Sequence, residues 1–182
     1  MILIVGLGNP GEQYEHTPHN MGFRALDYFK ARYLPSIEWM IEKTATYLTA
    51  QVEGKEVDLI KPLLYVNRSG FPIKQCMESR GILPESLWVA HDEFDLPWGE
   101  IKIDIGRSSA GHKGVQSIIE SLGTQNFWRV RIGIKPAEDI EVPLDEYVTR
   151  KDSRGDEHIL EKVAILLDDA IKNGIKKKRI TI

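Results

Sequence analysis

Ile2-Leu3-Ile4-Val5-Gly6-Leu7-Gly8-Asn9-Pro10-Gly11-Glu12-Gln13-Tyr14-Glu15-His16-Thr17-Pro18-His19-Asn20-Met21-Gly22 is the stretch whose reading decides the fold. Residues 2–5 form a short, continuous apolar run stopped by glycine, the pattern of a strand buried on both faces. Residues 6–18 are rich in Gly, Pro and Asn and read as a loop. A helix over 20–33 is predicted next, with Phe23, Leu26, Phe29 and Tyr33 at helical spacing. Thr17 stands where an N-cap belongs and Pro18 where a first-turn proline is favoured. Gly6-Leu7-Gly8-Asn9-Pro10-Gly11 also matches G-x-G-x-x-G, but a dinucleotide site needs a helix packed directly behind the third glycine. Residues 12–18 show no apolar helical period, and Pro18 would interrupt such a helix. The glycines instead predict a tight loop that brings backbone close to a ligand.

Outward from this start, elements alternate. Residues 45–52 and 56–60 read as a hairpin around Glu53-Gly54-Lys55, and 69–80 as a helix closed by Gly81. A short buried strand at 87–90 precedes alternating stretches at 100–105 and 129–134, with a helix over 114–122 between them. The last helix, 156–173, places Ile159, Val163, Leu166, Leu167 and Ala170 on one face and ends at Gly174. The expectation is one α/β domain over 1–182, a twisted mixed sheet flanked by helices, with a basic tail at about 174–182.

Composition narrows the class. The chain has 182 residues, 42% hydrophobic and 28% charged, which excludes a disordered or collagen-like chain and suits one folded domain. No apolar run nears the ~18 residues of a membrane span, and the N-terminus lacks the basic and small-residue marks of a signal peptide. Cys76 is the single cysteine, so an intramolecular disulfide and a Cys-based zinc site are ruled out and a reducing cytoplasm is expected. Lys and Arg total 24 against 27 Asp and Glu, a net charge of −3. Five basic residues and no acid lie from Lys172 onward, so the remainder carries −8. A body this acidic meets nucleic acid only through a local basic patch.

Four groups of residues are candidates for chemistry. His19, behind Thr17-Pro18, falls at a helix start, where exposed N–H groups disfavour the imidazolium and hold a base neutral. A capping-turn histidine is the plainer alternative. His91-Asp92-Glu93-Phe94-Asp95 follows a buried strand, at the end where open α/β sheets bind ligands. A carboxylate there can fix the tautomer of His19, although a solvated turn also fits. Gly111-His112-Lys113-Gly114 reads as a loop entering a helix. Tyr65, Asn67 and Ser69 lie between a strand and a helix, where Asn67 offers a donor and an acceptor or serves as a cap. His16, His19, His91 and His112, read as loop residues beside Asp92 and Glu93, leave metal-assisted hydrolysis open as a rival.

Taken together, residues 6–22, Tyr65-Val66-Asn67-Arg68-Ser69-Gly70, His91-Asp92-Glu93-Phe94-Asp95-Leu96-Pro97-Trp98-Gly99, Gly111-His112-Lys113-Gly114 and Arg129-Val130-Arg131-Ile132-Gly133-Ile134 occur in the order and spacing of bacterial-type peptidyl-tRNA hydrolases. The chain resembles that family from Met1 to about Tyr147. The resemblance implies a cytoplasmic, monomeric α/β enzyme of translation with no cofactor, no metal and no obligate protein partner. It would recycle tRNA by cleaving the ester between a peptide and the 3′-terminal ribose of peptidyl-tRNA. It implies His19 as general base, Asp92 as its orienting carboxylate and Asn9 as a contact to the peptide. Tyr14, Tyr65, Asn67, His112 and Lys113 would line the substrate site, Asn20 would support the first-turn geometry, and Lys102 and Arg131 would grip the tRNA 5′ phosphate. Three positions depart from the family pattern. Lys113 replaces a usual Asn and adds a charge expected to lower the pKa of His19. Pro18 replaces a commoner Arg, and Asp104 stands where a further cation often helps bind RNA. These departures predict weaker RNA affinity and slower turnover, and they leave a non-catalytic RNA-binding relative as the competing class.

Overall fold

Alternation along single strands decides which layer each residue joins. In the computed structural model, which describes residues 1–138, 140–152 and 154–182, Ile4 of β1 (Ile2–Gly6) faces one core while Leu3 and Val5 face another. The Ile4 side is covered by α1 (Met21–Tyr33) and α5 (Glu157–Asn173). The Leu3 and Val5 side is covered by α2 (Gly70–Arg80) and α3 (Lys113–Leu122). A strand covered by helices on both faces must be apolar throughout, which is why residues 2–5 show no alternation.

The remaining strands are β2 (Met40–Ile41), β3 (Ala45–Val52), β4 (Lys55–Pro62), β5 (Leu87–Pro97), β6 (Glu100–Ile105), β7 (Trp128–Lys135) and β8 (Lys178–Thr181). With β1 they form an eight-stranded sheet in the order β2-β3-β4-β1-β5-β7-β6-β8. The central four strands, β4-β1-β5-β7, are parallel, and the flanks are antiparallel. The expected mixed α/β sheet is therefore present. No helix among the described residues is long and apolar enough to cross a membrane.

Four features depart from the expectations. The strand expected at 87–90 runs on to Pro97, because β7 pairs alongside it as far as Glu93↔Gly133 before the register shifts. His91, Asp92 and Glu93 are thus buried strand residues rather than a loop. The predicted first turn of α1 is a separate 3₁₀ turn, Pro18–Asn20, and Thr17 caps it without a side-chain bond, its hydroxyl donating to the Tyr14 carbonyl instead. The basic tail holds β8, antiparallel to β6, with Ile175 and Ile180 packed on the core. A short α4 (Leu144–Thr149) was not legible in the sequence.

The glycine loop also has a different use. A Cβ on Gly22 would sit 2.3 Å from the Ala90 carbonyl oxygen and 2.5 Å from the Leu7 nitrogen. One on Gly6 would sit 2.4 Å from the Gly22 carbonyl oxygen. The close approach that Gly6 and Gly22 permit is between β1, β5 and the start of α1. It sets the residues just before α1 against those just after Ala90.

Candidate functional site

That contact brings together residues 73 apart in sequence. His19 of the 3₁₀ turn places Nδ1 2.9 Å from Asp92 Oδ1, with His19 only 8% exposed. His112 approaches the same oxygen from the other side, Nε2 to Oδ1 at 2.9 Å. The tautomer of His112 is fixed by its second nitrogen. Nδ1 accepts the backbone N–H groups of Gly114 (3.1 Å) and Val115 (3.2 Å), capping α3, so the proton is on Nε2 and is donated to Asp92. His112, expected to line the substrate site, lines the small cavity beside His19 and is also bonded to Asp92 and to the start of α3. His91 lies behind, fully buried, its Nδ1–H donating to the Asp92 carbonyl at 2.6 Å and its ring edge-on to His112 with centroids 4.8 Å apart.

The charges follow from these contacts. Burial disfavours the Asp92 carboxylate, but the charges and hydrogen bonds of His19 and His112 outweigh it and hold its pKa far below the usual carboxylate range. Burial likewise opposes protonation of His19. Asp92 more than offsets this and Asp145 adds to it, so the His19 pKa is raised above 6.5. The expected depression of His19 by a helix start and by Lys113 is thus overturned. Lys113 does act downward, but its Nζ lies 2.6 Å from Asp145 Oδ2, whose opposite charge acts upward. His91 is pushed well below 6.5, first by burial and then by His112.

Asn9 and Asn20 form the neighbouring wall. Asn9 N–H donates to Asn20 Oδ1 at 2.8 Å, and Asn20 Nδ2 donates to the Asn9 carbonyl at 3.0 Å. Asn9 Oδ1 accepts the Val66 N–H at 2.9 Å. Both side chains are buried, so this clip fixes the loop after β1 to the 3₁₀ turn carrying His19 and to the segment carrying Tyr65 and Asn67. Tyr65 is 60% exposed and Asn67 is exposed, while Tyr14 is half-buried in a 3₁₀ turn, Glu12–Tyr14. Asn67, Ser109 and Lys113 line one open groove of about 390 Å³, and Asn9, His16 and Asn20 line another of about 360 Å³. Between them a small cavity of about 50 Å³ reaches His19, Asp92 and Lys113 beneath Leu144, Asp145 and Val148. A further groove, about 670 Å³ beside Cys76, holds none of the residues expected in the site.

Other expectations separate from this cluster. His16 is exposed and outside it. The atoms of His19, Asp92 and His112 lie within 4.8 Å of one another, a spacing that suits a metal, but Asp92 Oδ1 already accepts protons from both rings. Arg131 was expected to grip a phosphate. Its side chain is 8% exposed and committed to carboxylates, Nε to Glu93 Oε2 at 2.9 Å and Nη1 to Asp104 Oδ2 at 3.1 Å. Lys102 stands beside it on β6, half-buried. Asp145 was missed because its only sequence signal is a charge opposite to Lys113, 32 residues away.

A family model described as "Peptidyl-tRNA hydrolase" matches residues 3–181. The peptidyl-tRNA hydrolase of Thermodesulfovibrio yellowstonii is 40% identical, over 96% of this chain and 97% of its own length. That of Geobacillus kaustophilus is 38% identical over 100% and 97%. A crystal structure of peptidyl-tRNA hydrolase from Acinetobacter baumannii superimposes with a TM-score of 0.80 at 32% identity, covering 94% of this chain and 85% of that one.

Proposed function

Because the chain belongs to the peptidyl-tRNA hydrolase family, we propose that it cleaves the ester between peptide and 3′-terminal ribose with His19 as general base, Asp92 as its orienting carboxylate and no metal. The observation that carries this reading is the 2.9 Å contact between His19 Nδ1 and Asp92 Oδ1. With the Nδ1 proton held by Asp92, Nε2 is the basic nitrogen and takes a proton from water as the water oxygen attacks the ester carbonyl carbon. The tetrahedral intermediate then collapses, the bond from carbonyl carbon to ribose oxygen breaks, and His19 returns the proton to the leaving oxygen. The Asp92 charge favours the imidazolium that exists between these two steps.

Asn9, locked through its Oδ1, keeps its amide N–H groups for the peptide backbone. Tyr14, Tyr65, Asn67 and Lys113 flank the path of peptide and 3′ end, and Asn20 holds Asn9 in place. Lys102 is the phosphate contact, whereas Arg131 supports the sheet beneath it. The enzyme acts as a cytoplasmic monomer without an obligate protein partner.

Release of tRNA from an N-blocked aminoacyl-tRNA tests the reading, with wild type and His19→Ala compared with and without chelator. Cleavage should fall by roughly 10²–10⁴-fold in the variant and ignore the chelator. Loss of wild-type activity on chelation would move the chemistry to a metal at His19, Asp92 and His112. A folded wild type that binds tRNA and never cleaves it would be a non-catalytic relative.

A further inference from the structure

We propose that the basic edge strand β8, together with Lys102, forms a phosphate-binding strip for the backbone of an RNA stem whose 3′ end lies at His19. The proposal rests on the reading above for the position of that 3′ end. The register supplies the geometry. His91 of β5 lies opposite Arg131 of β7, Arg131 opposite Lys102 of β6, and Lys102 opposite Arg179 of β8. Strands sit about 4.8 Å apart, so this row carries charge from the histidine cluster to the sheet edge, about 14 Å away.

Along the row the cations differ in what they are free to do. Arg131 is buried and neutralised by Glu93 and Asp104. The first positive charge with no carboxylate within 4.0 Å, among the described residues, is Lys102. Arg179 lies beside it with a side chain 64% exposed. Glu100 holds Nε at 2.7 Å and Nη2 at 3.0 Å, which steadies the guanidinium and leaves the rest of its fork to solvent. Lys176, Lys177 and Lys178 are exposed next to it, on a segment pinned by Ile175 and Ile180 rather than trailing free. The remainder of the chain is strongly acidic, so this strip is where a polyanion meets attraction instead of repulsion. Lysines on an edge strand also discourage sheet-to-sheet pairing. That role explains the charge of β8 but not the alignment of Arg179 with Lys102.

The test is the affinity of deacylated tRNA, measured by fluorescence anisotropy across a salt series, for wild type and Lys102→Gln/Arg179→Gln. Thermal melts confirm that the variant is folded. Loss of two phosphate contacts should weaken binding about tenfold or more and flatten the slope of log affinity against log salt by about 1.4–1.8. Lys176→Gln/Lys177→Gln, outside the strand and harmless to its pairing, should flatten the slope as well. Arg179→Lys should keep most of the wild-type slope. Unchanged affinity and slope in both double variants would overturn the proposal, including the case where they only aggregate more readily. Deacylated tRNA has no ester, so a wild type that failed to cleave substrate would remove the functional reading without touching this result.

Discussion

Asp92 and Glu93 are neighbours on β5, both buried, and they leave the strand on opposite sides. Around Asp92 one carboxylate accepts two imidazoles. Around Glu93 the stoichiometry inverts, and one guanidinium, that of Arg131, is shared by two carboxylates. Arg129, itself buried, donates to the Ser108 carbonyl and feels the second cluster only through the charges of Asp104, Arg131 and Glu93, its pKa lowered by burial to about 10 and so still charged near neutrality. In the second cluster the cations are guanidinium groups, which do not titrate near neutral pH. The first carries one negative charge that is balanced only when an imidazole gains a proton. Similar burial thus yields a guanidinium–carboxylate network in one place and, in the other, the imidazole–carboxylate network proposed above to act in turnover. What separates them is the partner, since a guanidinium stays charged near neutral pH whereas an imidazole can gain or lose a proton there; the small cavity reaches both Asp92 and Glu93.

The contrast can be broken most sharply at its centre. His19→Ala should lose roughly 10²–10⁴-fold in cleavage, with a loss of stability smaller than that of the second-cluster variant because His112 still bonds Asp92. Arg131→Met should do the opposite. It removes the guanidinium that both buried carboxylates share, leaving Glu93 without its ion-pair partner and Asp104 with only the more distant Arg107, which costs about 3–5 kcal/mol of stability in a denaturant titration, with cleavage at low temperature largely kept. If Arg131→Met proved as stable as wild type, the second cluster would not be structural.

A smaller effect is pH linkage. The raised pKa of His19 contributes stability that is fully present below 6.5 and is lost as pH rises through the raised value. The depressed pKa of Asp92 contributes stability present above 3.8 and lost as pH falls through its native value. Between those limits both contributions are constant, so Asp92→Asn should lower stability there and flatten its fall with pH outside them, above 6.5 and below 3.8.

The smallest effects lie at the mouth. The rising limb of kcat/KM should have its midpoint above 6.5, because His19 must be neutral to act. Asp145→Asn should move that midpoint down and Lys113→Asn should move it up, modestly, since both groups are exposed and screened. If Lys113 hinders turnover, Lys113→Asn also cleaves faster at high pH, where His19 is already neutral. An equal or lower rate would clear it of that charge.

Much of this was legible in the sequence because burial leaves a local pattern. The apolar run at 2–5, the hairpin turn at Glu53-Gly54 and the helix-ending glycines 81 and 123 need only their neighbours to be read. The motif at residues 6–22 and the Asp92 segment marked both halves of the His19–Asp92 contact. The length of β5 was hidden, because polar residues in a strand read as a loop until their partners are known. The strand in the basic tail was hidden for the same reason, four consecutive cations separating Ile175 from Ile180.

The sequence by itself determined the α/β class, the helices and hairpin, and the residue types offered to the site. Only the tertiary structure decided which charge met which: Asp92 with two histidines, Arg131 with two acids, Lys113 with Asp145, and Arg179 beside Lys102. The physical reason is that periodicity is a local property, whereas a buried charge takes its protonation state, its mobility and its role from partners that the fold delivers from distant parts of the chain.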